Sequence, residues 1–204
     1  RYGTTETNVA TVLRPADQLR KIACVGQPLP ATYLRVLDDD GNDVPQGEVG
    51  ELAVASPYLF AGYLNLPEAT AESMRGDWFV TGDLARQDDE GDVYIVDRKN
   101  DMIITGGENV YPREVEEVLL SHPAVAECGV VGAPHPYWGE AVTAFVVLRP
   151  GMNVTADDLV ATCRARLSLY KVPKEIRFLP TLPRNSMGKV LRRKMREALC
   201  SGSQ

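Results

Sequence analysis

No run of about 18 apolar residues occurs in the 204-residue sequence, so no membrane-spanning helix is expected. The opening residues, Arg1 to Thr7, hold no apolar leader core and no initiator Met, as expected of a processed or partial chain. Histidine occurs only twice, at His122 and His135. The four cysteines, Cys24, Cys128, Cys163 and Cys200, form no C-x-x-C pair and have no histidine at zinc-site spacing. This leaves neither a structural zinc site nor a catalytic Cys-His pair to argue for. Four reduced thiols fit a cytoplasmic protein. There is no internal repeat and no low-complexity tract.

What is present is ordinary globular material: 44% hydrophobic and 25% charged residues, enough for a sizeable core. The charge is uneven. Residues 1–97 carry seven basic against seventeen acidic groups, a net of −10, and residues 98–204 a net of +4. A basic module beside an acidic one suits small polyanions such as nucleotides. Nucleic acid is not expected as a partner, because the overall balance is −6 and no aromatics interleave with the basic residues. The cluster Arg192, Arg193, Lys194 and Arg196 reads as a solvated helix face.

The first half reads as β-rich. Tyr33 to Leu37 and Gly50 to Ala55 are strands, separated by a turn at residues 38–43 with the Asp-Gly signal. A short helix is expected over about Pro67 to Met74, with proline at its start. Phe79 to Leu84 and Val93 to Val96 are further strands. The second half alternates. Pro112 to Leu120, Ala156 to Leu167 and Val190 to Leu199 are predicted helices. Val125 to Val131, Val142 to Leu148 and Ile176 to Leu179 are predicted strands. The class is α+β, with a boundary at the charged link Asp97-Arg98-Lys99-Asn100-Asp101.

Five segments carry candidate chemistry. Tyr2-Gly3-Thr4-Thr5-Glu6 offers an aromatic face, a hydroxyl and a carboxylate that could stack a base, bind phosphate and hold Mg²⁺; alone it reads as a polar loop. In Trp78 to Asp83, a carboxylate after a strand and a glycine could accept hydrogen bonds from a ribose diol, or be a turn aspartate. Residues 97–112 join a fixed cation, a polar link, a short apolar strand and a Gly106-Gly107 turn leading into a helix, where glycine permits close approach of a ligand. Leu169 to Pro173 says little by itself. In Leu182 to Lys189, a lysine follows a glycine on a proline-led loop and could meet an oxyanion, or be one more surface lysine.

In combination, the order Y-G-x-T-E, T-G-D, D-R-x-x-D-x-I-x-x-G-G-E-N-V-Y-P, Y-K-x-P and L-P-R-x-x-x-G-K resembles the adenylate-forming acyl-CoA synthetase family over essentially the whole chain. The resemblance implies an ATP- and Mg²⁺-dependent ligase. A small-molecule carboxylic acid becomes an acyl-adenylate, and coenzyme A takes the acyl group. Tyr2 matches the adenine-stacking aromatic, Thr5 the α-phosphate hydroxyl and Glu6 the Mg²⁺ carboxylate. Asp83 matches the ribose acceptor, Arg98 its cationic neighbour and Lys189 the adenylation lysine. Gly106 and Gly107 match the lining of the pantetheine tunnel. Asn100 stands at the hinge, where family members usually carry Asp or Lys. Residues 1–97 would then finish the large nucleotide-binding domain, and 98–204 would form a mobile domain. The phosphate loop and most of the acyl pocket are expected on an upstream part of the same enzyme, so these residues alone are not expected to adenylate. Loading of a carrier-protein thiol and a non-catalytic interaction module are the alternatives.

Overall fold

The aspartate-rich turn at residues 38–43 closes a hairpin between β3 (Tyr33–Leu37) and β4 (Gly50–Ala55), paired from Tyr33 with Ala55 to Leu37 with Glu51. Its geometry follows from local chemistry. The Asp38 carboxylate accepts the Asn42 amide at 2.8 Å, and Gly41 takes φ +86°, which only glycine adopts cheaply. The computed structural model describes residues 1–200, with Cys200 described by its backbone alone. The Cys200 thiol therefore lies outside the described residues. The chain divides into two compact units, Arg1–Asn100 and Asp101–Gln204.

The first unit is a seven-stranded sheet. Besides β3 and β4 it holds β1 (Thr11–Val12), β2 (Cys24–Pro28), β5 (Met74–Arg75), β6 (Trp78–Gln87) and β7 (Val93–Arg98). The order is β1-β2-β7-β6-β4-β3, with β5 on β6. Leu52, Val54, Ala85 and Val93 are fully buried at its centre. Each side chain of valine or leucine size contributes roughly 1.5–3 kcal/mol on burial. Helix α1 (Pro67–Glu72) ends before the expected Met74, which instead pairs with Phe79 as strand β5.

The second unit is a five-stranded sheet of β8 (Ile103–Thr105), β9 (Glu108–Val110), β10 (Val125–His135), β11 (Gly139–Leu148) and β12 (Glu175–Phe178). Strand β11 explains why Val142 to Leu148 reads as continuously apolar. Val142, Ala144 and Val146 face Leu119 of α2 (Pro112–Leu120) and Leu159 of α3 (Ala156–Arg164), while Phe145 packs against Met195 of α4 (Arg192–Cys200). Both faces are covered, so no polar alternation survives. A reciprocal Thr155–Asp158 capping box starts α3, which ends at Arg164, short of the expected Leu167.

Two expectations need correction. The Gly106-Gly107 turn does not lead straight into a helix. It joins β8 to β9, with φ +60° and +86° at the two glycines, the geometry of a tight hairpin turn. The basic face of α4 is not simply solvated. Arg192 grips both oxygens of Glu116 at 2.8 and 2.9 Å, and Arg192 and Arg196 reach Asp101 at 3.3 and 3.1 Å. Arg193 remains exposed.

Candidate functional site

Gly82 takes φ +72°, and the pairing of β4 with β6 slips there: Glu51 faces Leu84, but Ala53 faces Val80. The extra residues form a bulge, which re-aims the neighbouring side chains. Asp83 therefore sits inside a strand rather than after one. Its register partner on β7 is Arg98. The Arg98 guanidinium meets Asp83 Oδ1 at 2.6 Å, and the Tyr2 hydroxyl donates to Oδ2 at 2.6 Å. Asp83 is only 5% exposed, yet the carboxylate has about four acceptor positions, of which these contacts take two. The arrangement can accept two further hydrogen bonds from a vicinal diol. Burial, and then the Asp83 carboxylate, push the Tyr2 phenol well above its ordinary range, so Tyr2 stays a donor.

Tyr2 is held by backbone bonds to Thr11, and Gly3 has no room for a side chain. A Cβ there would lie 1.7 Å from the Asn8 carbonyl oxygen. The tight turn that follows places Thr5 and Glu6 on the same cleft as Asp83, Arg98 and Asn100, with a volume of about 730 Å³. Glu6 Oε1 accepts the Tyr63 hydroxyl at 3.0 Å. Burial alone would raise the Glu6 carboxyl; hydrogen bonds from the Thr4 hydroxyl, its own amide and Tyr63 outweigh it, and the net effect is downward. Glu6 is thus kept ionised.

Because its folded-state value is lowered, the stability Glu6 contributes is present above the ordinary carboxyl range and lost as pH falls through the folded value. Tyr63→Phe removes one donor and should move the Glu6 titration upward, toward that of a free glutamate. Carbon-13 NMR titration of the carboxyl checks this; an unmoved midpoint would show that Tyr63 does not tune it.

Gly106 and Gly107 belong to the second unit, at a separate cleft of about 740 Å³ shared with Tyr137, Trp138, Tyr170 and Lys174. The Trp138 ring stacks on His135 at 4.2 Å, and the Lys174 ammonium lies 5.2 Å from its centroid. Lys189 lies on neither cleft lining. Its loop is an Asx-type turn, in which Asn185 Oδ1 accepts the amides of Met187 and Lys189. The Lys189 side chain is exposed, and among the described residues its ammonium forms no hydrogen bond or ion pair.

Of the residues that the sequence assigns to the nucleotide, the structure places Tyr2, Thr5, Glu6, Asp83 and Arg98 on one cleft, with Asn100, assigned to the hinge, also on its lining and Lys189 not. Sequence reasoning does not find Tyr63, which tunes Glu6 from 57 residues away in a loop without a motif. Among the described residues no group of three or more His, Cys, Asp or Glu is arranged for a metal ion, and no helix is long and apolar enough to cross a membrane.

The model of the AMP-binding enzyme matches residues 1–64, and that of the AMP-binding enzyme C-terminal domain matches residues 114–189. A 2-succinylbenzoate-CoA ligase of Geobacillus sp. strain WCH70 is 45% identical over 97% of this chain and 40% of its own length. A long-chain-fatty-acid-CoA ligase of Escherichia coli O6:H1 is 44% identical over 96% of this chain and 35% of its own. An o-succinylbenzoate CoA synthetase from Bacillus subtilis has been solved with its acyl-adenylate intermediate. It superposes with a TM-score of 0.90 at 41% identity, covering 96% of this chain and 40% of the other. The same enzyme with ATP and magnesium ion gives 0.87 at 41%, covering 95% and 40%. The chain thus spans about two fifths of the length of these relatives.

Proposed function

The chain belongs to the AMP-binding enzyme family, and on that premise we propose that it is the ribose-binding edge and the C-terminal domain of an ATP-dependent acyl-CoA ligase. The observation that carries the reading is the buried Asp83 carboxylate, which lines the cleft, is oriented by Tyr2 and Arg98, and has acceptor capacity beyond these two contacts.

The reaction has two steps. A substrate carboxylate oxygen attacks the α-phosphorus of ATP, the bond to the β-phosphate oxygen breaks, and pyrophosphate leaves. The coenzyme A thiol, losing its proton, then attacks the acyl carbon, and AMP leaves with the carboxyl oxygen. Asp83 holds the ribose hydroxyls, Tyr2 offers its ring to the base, and Arg98 fixes Asp83. Thr5 presents a hydroxyl to the α-phosphate. Lys189 supplies an ammonium to the charge that develops on the phosphoryl oxygens. Mg²⁺, when bound, neutralises phosphate charge. A single ionised oxygen donor such as Glu6 fits a cation that keeps water and phosphate as its other ligands. Gly106 and Gly107 line the path of the thiol. Residues 1–97 close the large domain, 98–204 form the mobile domain, and the hinge lies within 97–101. The phosphate loop comes from an upstream part of the same enzyme.

Pyrophosphate release by the intact enzyme over a panel of carboxylic acids, followed by acyl-CoA formation on adding coenzyme A, tests the reading. Asp83→Ala should weaken ATP binding by about a hundredfold or more, since each of the two lost hydrogen bonds to a charged group contributes roughly 1.5–3 kcal/mol. Acid-independent pyrophosphate release, or an unchanged ATP dependence in Asp83→Ala, would overturn it.

A further inference from the structure

The β8–β9 hairpin is attached to its sheet by very little backbone pairing. Strand β8 meets β11 at one registered pair, Thr105 with Gly139, and the Gly106 amide donates to the Trp138 carbonyl at 2.9 Å. Within β8 the Ile104 amide has no strand partner on β11. It donates instead to the carboxylate of Glu140, at 2.8 Å to Oε2.

The carboxylate can be there because of a vacancy on the neighbouring strand. A Cβ on Gly132 of β10 would lie 2.4 Å from Glu140 Oε1 and 2.6 Å from its Cδ. Gly132 does not have a positive φ, so backbone conformation does not require glycine at this position. Volume does. The space above its bare Cα is filled by the Glu140 side chain.

We propose that Glu140 is a positioning residue for thioester formation. Seated over Gly132, it holds the Ile104 amide and with it the Gly106-Gly107 turn at the height that the thiol's path requires. This rests on the reading of that turn as lining the path. Glu140 touches no reacting atom. Its effect passes through one charge-assisted hydrogen bond to the backbone. Small misplacements of a lining element can cost up to about a hundredfold in rate.

The test has two arms. In the intact enzyme, amide hydrogen exchange is followed residue by residue. Glu140→Ala should speed exchange at Ile104 and Gly106 by more than about tenfold, with β10 and β12 unchanged. Glu140→Gln, which keeps an acceptor oxygen, should restore most of the protection. Gly132→Ala should reproduce Glu140→Ala by expelling the carboxylate, and the double variant should be no worse than either single one. In the intact enzyme, Glu140→Ala should slow acyl-CoA formation from preformed acyl-adenylate by about ten- to a hundredfold, with adenylation held within about twofold. Unchanged exchange at Ile104 overturns the placement. Faster exchange with an unchanged thioester rate, or equal losses in both steps, overturns the role in catalysis. If the unaltered enzyme makes acyl-adenylate but no acyl-CoA, it is the ligase reading that falls.

Discussion

Lys189→Ala in the intact enzyme is expected to slow acyl-adenylate formation by about 10²- to 10³-fold, the usual cost of removing one transition-state donor, and to leave thioester formation untouched. The loop that carries Lys189 has an ordered backbone that suits the proposed role. Asn185 ties the amides of Met187 and Lys189, Gly188 takes φ +81°, and the Arg184 guanidinium holds the Gly188 carbonyl at 2.6 Å. Arg184 is itself anchored to Glu127 on β10 at 2.7 Å. The backbone is thus fixed in advance, while the ammonium makes no bond among the described residues that a ligand would have to break. With the backbone ordered beforehand, only the lysine side chain has to settle when charge appears on the phosphoryl oxygens. Single-turnover pyrophosphate release from ATP and acid measures the first step. Acyl-CoA formation from synthetic acyl-adenylate measures the second. Lys189→Arg should recover little, because a planar fork does not reproduce a point ammonium. Equal losses in the two steps would remove Lys189 from the role.

Much of the fold is legible because local and tertiary preferences agree. Tyr33–Leu37, Gly50–Ala55 and Pro112–Leu120 have the bounds that alternation, turn chemistry and helical spacing predict. Strand β2 is not legible. Cys24–Pro28 contains Gly26 at φ +88° and ends in proline, both poor strand signals, and it is held by pairing with β1 nearby and with β7 from far along the chain. Strand β9 is hidden in Glu108–Val110, three residues that only the hairpin turn makes a strand. In the cleft, Tyr2, Asp83 and Arg98 are recognisable as types at known spacing, but their mutual hydrogen bonds depend on the bulge at Gly82 and the β6–β7 register. Arg192 and Arg196 look solvated because their partners Asp101 and Glu116 are 76 to 95 residues away.

These arginines also bear on the proposed hinge. Lys99 is bound to Asp39 at 2.8 Å and Glu51 at 2.9 Å, both in the first unit. Asp101 is bound to Arg192 and Arg196, both in the second. Each clamp fixes one neighbour of Asn100 to its own unit, so a rotation confined to this link falls on the dihedrals of residue 100. Asn tolerates unusual φ and ψ well, and its standing here in place of the usual Asp or Lys leaves that freedom intact. Proline would remove it, locking φ near −65° and disfavouring a helical backbone at Lys99, which now lies in a 3-10 turn over Lys99–Asp101. Asn100→Pro in the intact enzyme is therefore expected to keep adenylation near normal, since on the roles proposed for Arg98 and Lys189 a bound nucleotide would favour the adenylating arrangement. Thioester formation should fall by roughly a hundredfold, for a backbone penalty of about 3 kcal/mol. Asn100→Gly should keep both steps. Hydroxylamine trapping of the adenylate follows the first step and acyl-CoA formation from preformed adenylate the second. Acyl-CoA made by Asn100→Pro at the unmodified rate would show that the pivot is not Asn100, and the boundary at residues 97–101 would have to move.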